Sequence, residues 1–131
     1  MLSLAFSSQF SIGETFVIVN SKNDITDASR SSISQIYLGK KKTWASGLKI
    51  IPSRLGNDSI ELQEFLKNIV GKKMALFQGY WRRKLFSGGG QVPKVFKNEM
   101  DLIKYVETNE GAVGVVTSKP KSKLVKIVSI K

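Results

Sequence analysis

The segment Thr15–Asn20 (TFVIVN) is apolar and β-branched at almost every position and ends at Asn20–Ser21, the pattern of a strand covered on both faces. Leu48–Pro52 (LKIIP) and Ala112–Thr117 (AVGVVT) read as two more strands, the second with Gly114 inside it, where a neighbouring backbone can come close. Leu124–Ile130 reads as an edge strand, because Lys126 and Ser129 interrupt its apolar run. Between these runs the period changes to that of a helix. Ser31–Leu38 places Ile33, Ile36 and Tyr37 at helical spacing ahead of Gly39, and Ile60–Val70 aligns Leu62, Phe65, Leu66, Ile69 and Val70 before a stop at Gly71. Met74–Phe86 predicts a third helix, with Met74, Phe77, Trp81 and Leu85 on one face and Arg82, Arg83 and Lys84 projecting elsewhere. Asn98 caps a fourth, with Asp101 three residues on and Leu102, Ile103 and Val106 facing inward. Asn23–Asp27 reads as loop, and Gln91–Lys94 as irregular or extended chain.

Strands interleaved with helices imply an α/β domain, a mostly parallel sheet with helices packed on it. Ligands of such sheets sit beyond the carboxyl ends of the strands. Here those ends carry Asn20–Ser21, Ser53–Arg54 and Thr117–Ser118, so parallel strands would bring all three to one rim.

The stretch from Pro52 to Phe65 passes from strand to polar loop to helix start. Ser59 is suited to accept from the free amides of the first helical turn, and those amides, the positive end of the helix dipole and nearby Arg54 suit a phosphate, sulfate or carboxylate. Asn20, Ser21, Arg54, Asn57, Ser59, Ile60, Glu61 and Thr117 are therefore the candidate ligand-binding residues. The plain alternative is an ordinary capped helix. Trp44, Tyr80, Trp81, Ser87 and Gly88 are candidates for a cleft lining, with core packing the alternative for the two tryptophans.

The length of 131 residues accommodates one domain, residues 14–131, behind an arm at residues 1–13. Met1–Ile12 reads either as the rear of a secretory signal or as an unstructured arm. The 21 Lys+Arg against 10 Asp+Glu leave a net charge of +11, which attracts nucleic acid, anionic lipid or small anions and does not choose among them. Cysteine and histidine are absent, which excludes thiolate nucleophiles, Cys/His zinc sites, disulfides and histidine-based triads. Lys40 lacks the preceding glycine spacing of a phosphate-binding loop, and Gly88–Gly90 follows a helix where a nucleotide cradle would open one. Neither an enzyme, a metal nor a cofactor is expected.

The ordered motifs carry a resemblance. Asn20 after a buried strand, Ile36–Tyr37–Leu38–Gly39–Lys40 followed by Trp44, the loop Arg54 to Ser59 with Phe65 beyond it, Tyr80–Trp81 with Phe86–Ser87–Gly88, and Glu110–Gly111–Ala112–Val113–Gly114–Val115 together resemble the phosphate-binding-protein-like family. These are the substrate-binding proteins of phosphate ABC importers and their short single-lobe relatives, and the resemblance covers roughly Thr15 to Thr117. It implies a type II periplasmic-binding-protein fold, placement in the periplasm or cell envelope, and oxyanion capture at a helix start beside an arginine. The arginine matches Arg54 and the capping serine Ser59. Ile60 and Glu61 stand where the full importers carry glycine and threonine, so one hydroxyl is absent and a carboxylate stands near the anion.

The expected function is a non-enzymatic envelope module that captures phosphate or a related oxyanion, with a membrane transport or envelope protein as possible partner. Two alternatives stay open. One is a nucleic-acid-binding protein using Lys40–Lys42, Arg82–Lys84 and the lysine-rich tail, with Trp44, Tyr80 and Trp81 as stacking surfaces. The other is a protein-partner module on the same fold with no small ligand.

Overall fold

The computed structural model describes residues 15–131, so the expectation for the amino-terminal arm falls outside the described residues. In chain order the elements are β1 (Phe16–Asn20), β2 (Asp27–Ala28), α1 (Arg30–Tyr37), β3 (Ile51–Leu55), α2 (Ile60–Phe65), α3 (Met74–Phe86), β4 (Lys94–Phe96), α4 (Glu99–Thr108), β5 (Ala112–Val116) and β6 (Val125–Ile130). A π-helical turn at Leu66–Val70 prolongs α2 until Gly71, whose φ of 82° is one that glycine adopts without strain.

The strands form one sheet in the order β2-β6-β1-β5-β3-β4. Parallel pairs join β2 to β6, β5 to β3 and β3 to β4, whereas β1 is antiparallel to both β5 and β6. Five strands therefore share one direction and β1 alone is reversed. Alternation along the strands divides the core. Val17, Val19, Val113, Val115 and Val128 pack with α1, α2 and α3, while Ile18, Ala112, Val116 and Val125 pack with Leu102 and Val106 of α4. This is the expected α/β arrangement, a mostly parallel sheet with helices on it.

Several details differ from the sequence expectation. The reversal of β1 sends Asn20–Ser21 to the rim opposite the carboxyl ends of β3 and β5. β6 is not an edge, since β2, two residues long in a stretch read as loop, pairs outside it. β4 forms the other edge at Lys94–Phe96, beginning at the last residue of the stretch expected to be irregular or extended. β3 begins later and reaches further than LKIIP, because Leu48 and Lys49 belong to a small hairpin. There the Trp44 amide donates to the Leu48 carbonyl at 2.8 Å, and Thr43 bridges Lys49.

Two glycines fix close approaches. A Cβ on Gly114 would lie 2.5 Å from Leu102 Cδ2 and 2.9 Å from Ser53 Oγ, so its neighbours are side chains and not the backbone expected. A Cβ on Gly111 would overlap the Lys49 carbonyl oxygen, while the Gly111 carbonyl accepts from the Ile51 amide at 2.9 Å and from Trp44 Nε1 at 3.0 Å. Gly111 thus locks the 43–49 hairpin onto the start of β3. Gly111→Ala should lower unfolding free energy by about 1–3 kcal/mol, the usual range for overpacking. Urea denaturation measures this, and an unchanged midpoint would show that the hairpin yields freely.

Candidate functional site

The site is built from β3 outward. Ser53 turns toward α4 and its Oγ donates to the Val113 carbonyl at 2.8 Å, while its own carbonyl accepts from the Tyr37 hydroxyl at 2.8 Å. Tyr37 is fully buried, and burial pushes its pKa well above the ordinary tyrosine range, so the hydroxyl stays neutral and donating. The next residue, Arg54, faces the other way. It is only 7% exposed, and its guanidinium carbon lies 5.8 Å from the ring centroid of Phe77. Nη1 donates to the Leu55 carbonyl at 3.0 Å and to Asn57 Oδ1 at 2.9 Å, whereas the buried Nε has no acceptor. Desolvation is the larger influence on Arg54 and lowers its pKa; at neutral pH the guanidinium remains a cation. The two ion pairs among the described residues, Lys22 with Glu110 and Lys131 with Asp27, leave Arg54 without a carboxylate.

Beyond Arg54 the loop is held by its own side chains. Ser59 caps α2, its Oγ accepting from the Leu62 amide at 3.1 Å, and Gln63 Nε2 donates to the Asn57 carbonyl at 2.8 Å. Arg54 and Asn57 are thus in direct contact and Ser59 follows them in the same loop, with Glu61 in the first turn and the Ile60 side chain 57% exposed. Thr117 lies on the same rim, at the end of β5. Its amide donates to Glu99 Oε2 at 2.6 Å, its hydroxyl bonds the same oxygen, and Ser118 Oγ reaches Glu99 Oε1 at 3.5 Å. The donors that would face a ligand there are engaged by a carboxylate at the start of α4.

Asn20 and Ser21 do not join this group, because β1 is reversed. Asn20 Nδ2 donates to the carbonyls of Val106 at 2.8 Å and Glu107 at 3.0 Å, satisfying the free end of α4, and the Ser21 amide donates to the Leu124 carbonyl at 2.9 Å. Of the residues expected to line a cleft, Trp81 alone borders Arg54, and its Nε1 donates to the Tyr37 carbonyl at 3.0 Å. Trp44 is buried at 5% exposure, with an edge on a separate cleft of about 500 Å³ beside Asn23, Asp24 and Lys41. Tyr80 and Ser87 border another recess with Arg83 and Lys84, and Gly88, at φ 78°, ends α3.

The cleft beside Arg54 has a volume of about 270 Å³ and lies against α3, lined by Phe77, Gln78, Trp81, Arg82, Leu85 and Val92. Asn57 and Ser59 are not in its wall. Phe77 is buried, as its place on the inner face of α3 predicts, whereas Leu85, expected on that same face in the core, is 51% exposed and lines the cleft with Arg82. The signal was present in the spacing of Gln78, Arg82 and Leu85, which form a second stripe beside Phe77 and Trp81.

Comparison with known proteins places the fold. No family model matches the chain, nor does any curated protein. Among solved structures it is similar to an ABC-type phosphate transport receptor from Vibrio cholerae, with TM-score 0.67, 17% identity and coverage of 90% of this chain and 46% of that one. It is also similar to a putative phosphate ABC transporter substrate-binding protein with bound phosphate from Clostridium perfringens, with TM-score 0.68, 18% identity and coverage of 90% and 45%. A possible phosphate binding protein from Planctomyces limnophilus gives TM-score 0.68 at 14% identity, covering 91% and 42%. The chain spans less than half the length of these proteins and has the fold of that part of a phosphate-transport binding protein.

The buried tyrosine gives a pH signature. Unfolded tyrosine ionises near pH 10, and the folded pKa of Tyr37 lies higher, so its contribution is complete below about pH 10 and declines as pH rises further. Tyr37→Phe should lose roughly 1–3 kcal/mol at neutral pH by stranding the Ser53 carbonyl, and its stability should fall less steeply above pH 10 than that of the wild type. Denaturant titrations from pH 8 to 11 measure both, and identical slopes would contradict the assignment.

Proposed function

We propose that this chain is a non-enzymatic binding module of the cell envelope that captures phosphate or a related oxyanion at Arg54. The observation that carries the reading is a guanidinium buried beside the carboxyl end of β3, with an unpartnered Nε and no carboxylate counter-ion among the described residues. A buried cation without an anion is unfavourable, and an oxyanion that accepts from it gains charge-assisted hydrogen bonds. The Asn57 contact orients the guanidinium. The fold shared with phosphate-transport binding proteins supports the same reading and the envelope location, with a membrane transport protein as the natural partner.

A charge-assisted hydrogen bond contributes roughly 1.5–3 kcal/mol, which for one open lobe suggests micromolar binding or weaker. The test is thermal melting with phosphate, sulfate and nitrate at matched ionic strength, for the wild type and Arg54→Gln. At a hundredfold excess over Kd the ligand should stabilise the wild type by about 2.7 kcal/mol, and the variant should show no shift. Equal response to all three salts in both proteins would reject the oxyanion reading.

A further inference from the structure

The cleft beside Arg54 is larger and more apolar than inorganic phosphate requires. Its volume of about 270 Å³ corresponds to about nine waters of the liquid at roughly 30 Å³ each, whereas phosphate has five heavy atoms. Its two cations, Arg54 from β3 and Arg82 from α3, accompany a wall made by Phe77, Trp81, Leu85 and Val92. Leu85 and Val92 are 51% and 42% exposed, so the wall presents apolar surface to water at the mouth of the cleft. Gln78 provides an uncharged polar group in the lining. Among the described residues no carboxylate lines the cleft, so no like charge in that lining opposes an anion.

We infer that the cleft takes an oxyanion carrying a compact apolar substituent, an aryl phosphonate or aryl phosphate monoester, in preference to inorganic phosphate. The inference rests on the oxyanion reading of Arg54 and names its substrate class. The anionic head meets Arg54 and Arg82, and the substituent covers Leu85 and Val92 and removes their surface from water. Burying about 60 Å² of apolar surface corresponds to about a tenfold gain in affinity.

Isothermal titration with inorganic phosphate, methylphosphonate and phenylphosphonate at one pH and ionic strength tests this, with benzyl alcohol as the uncharged probe. Phenylphosphonate should bind the wild type about tenfold more tightly than phosphate or methylphosphonate, and benzyl alcohol should not compete. In Leu85→Ser/Val92→Ser the phenyl preference should collapse toward unity; both positions are partly exposed, and a melt without ligand checks that the variant is folded. In Arg54→Gln all three anions should lose binding. If phosphate binds and phenylphosphonate is no tighter, this inference falls while the oxyanion reading stands. If no anion binds, both fall. A phenyl preference that survives the double substitution, or benzyl alcohol binding as tightly as phenylphosphonate, also overturns the inference.

Discussion

A strand that carries polar side chains into a core must find partners for them within the protein, and β3 carries two in succession. Ser53 and Arg54 turn to opposite faces of the sheet, so each meets a different helical layer and solves a different problem. On one face a hydroxyl finds a neighbouring carbonyl. On the other, a cation that cannot be neutralised is held by an aromatic ring, one backbone carbonyl and one amide side chain, which leaves part of its hydrogen-bonding capacity unused. The Tyr37 hydroxyl ties α1 to the carbonyl between those two faces. The packing of α1, α3 and the loop before α2 is therefore organised around a short polar segment that leaves one buried donor, Arg54 Nε, without an acceptor.

The division of the sheet explains why the candidate site draws on fewer segments than its sequence suggests. With β1 reversed, the asparagine after it serves the carboxyl end of α4, a structural task at the far rim. Thr117 reaches the near rim but is bound to Glu99, which fixes the end of β5 to the start of α4. What remains open around Arg54 comes from α3 and from Val92 beyond it, and α3 is an element the sequence marks as a core helix with a basic outer face.

Most of the helical architecture was legible because amphipathic spacing and caps are local properties. Ser59, Asn98 and Gly71 occupy the roles their chemistry predicts, and Met74–Phe86 has the bounds read from its stripe. Strand direction was not legible, since an apolar run such as Phe16–Asn20 satisfies either orientation and only its neighbours decide. Short strands were missed for a related reason. Asp27–Ala28 and Lys94–Phe96 have no periodicity to display and exist because a longer strand offers them a free edge. At the site, Arg54 could be singled out by sequence, but its neighbours on α3 could not, because residues of mixed character on a helix reveal their surroundings only once the helix is docked.

The reversed central strand also determines how the molecule is approached. Phe16 lies beside Val116 and Val17 opposite Val128, so the start of β1 and the end of β6 both reach the rim that bears the Arg54 loop. A label, affinity tag or tether joined near either position would crowd that rim and could screen it from solutes. The loops at the far rim, around Ser21 and Gly111, leave it clear, which makes an internal attachment near Ser21 the less intrusive way to immobilise this protein on a surface.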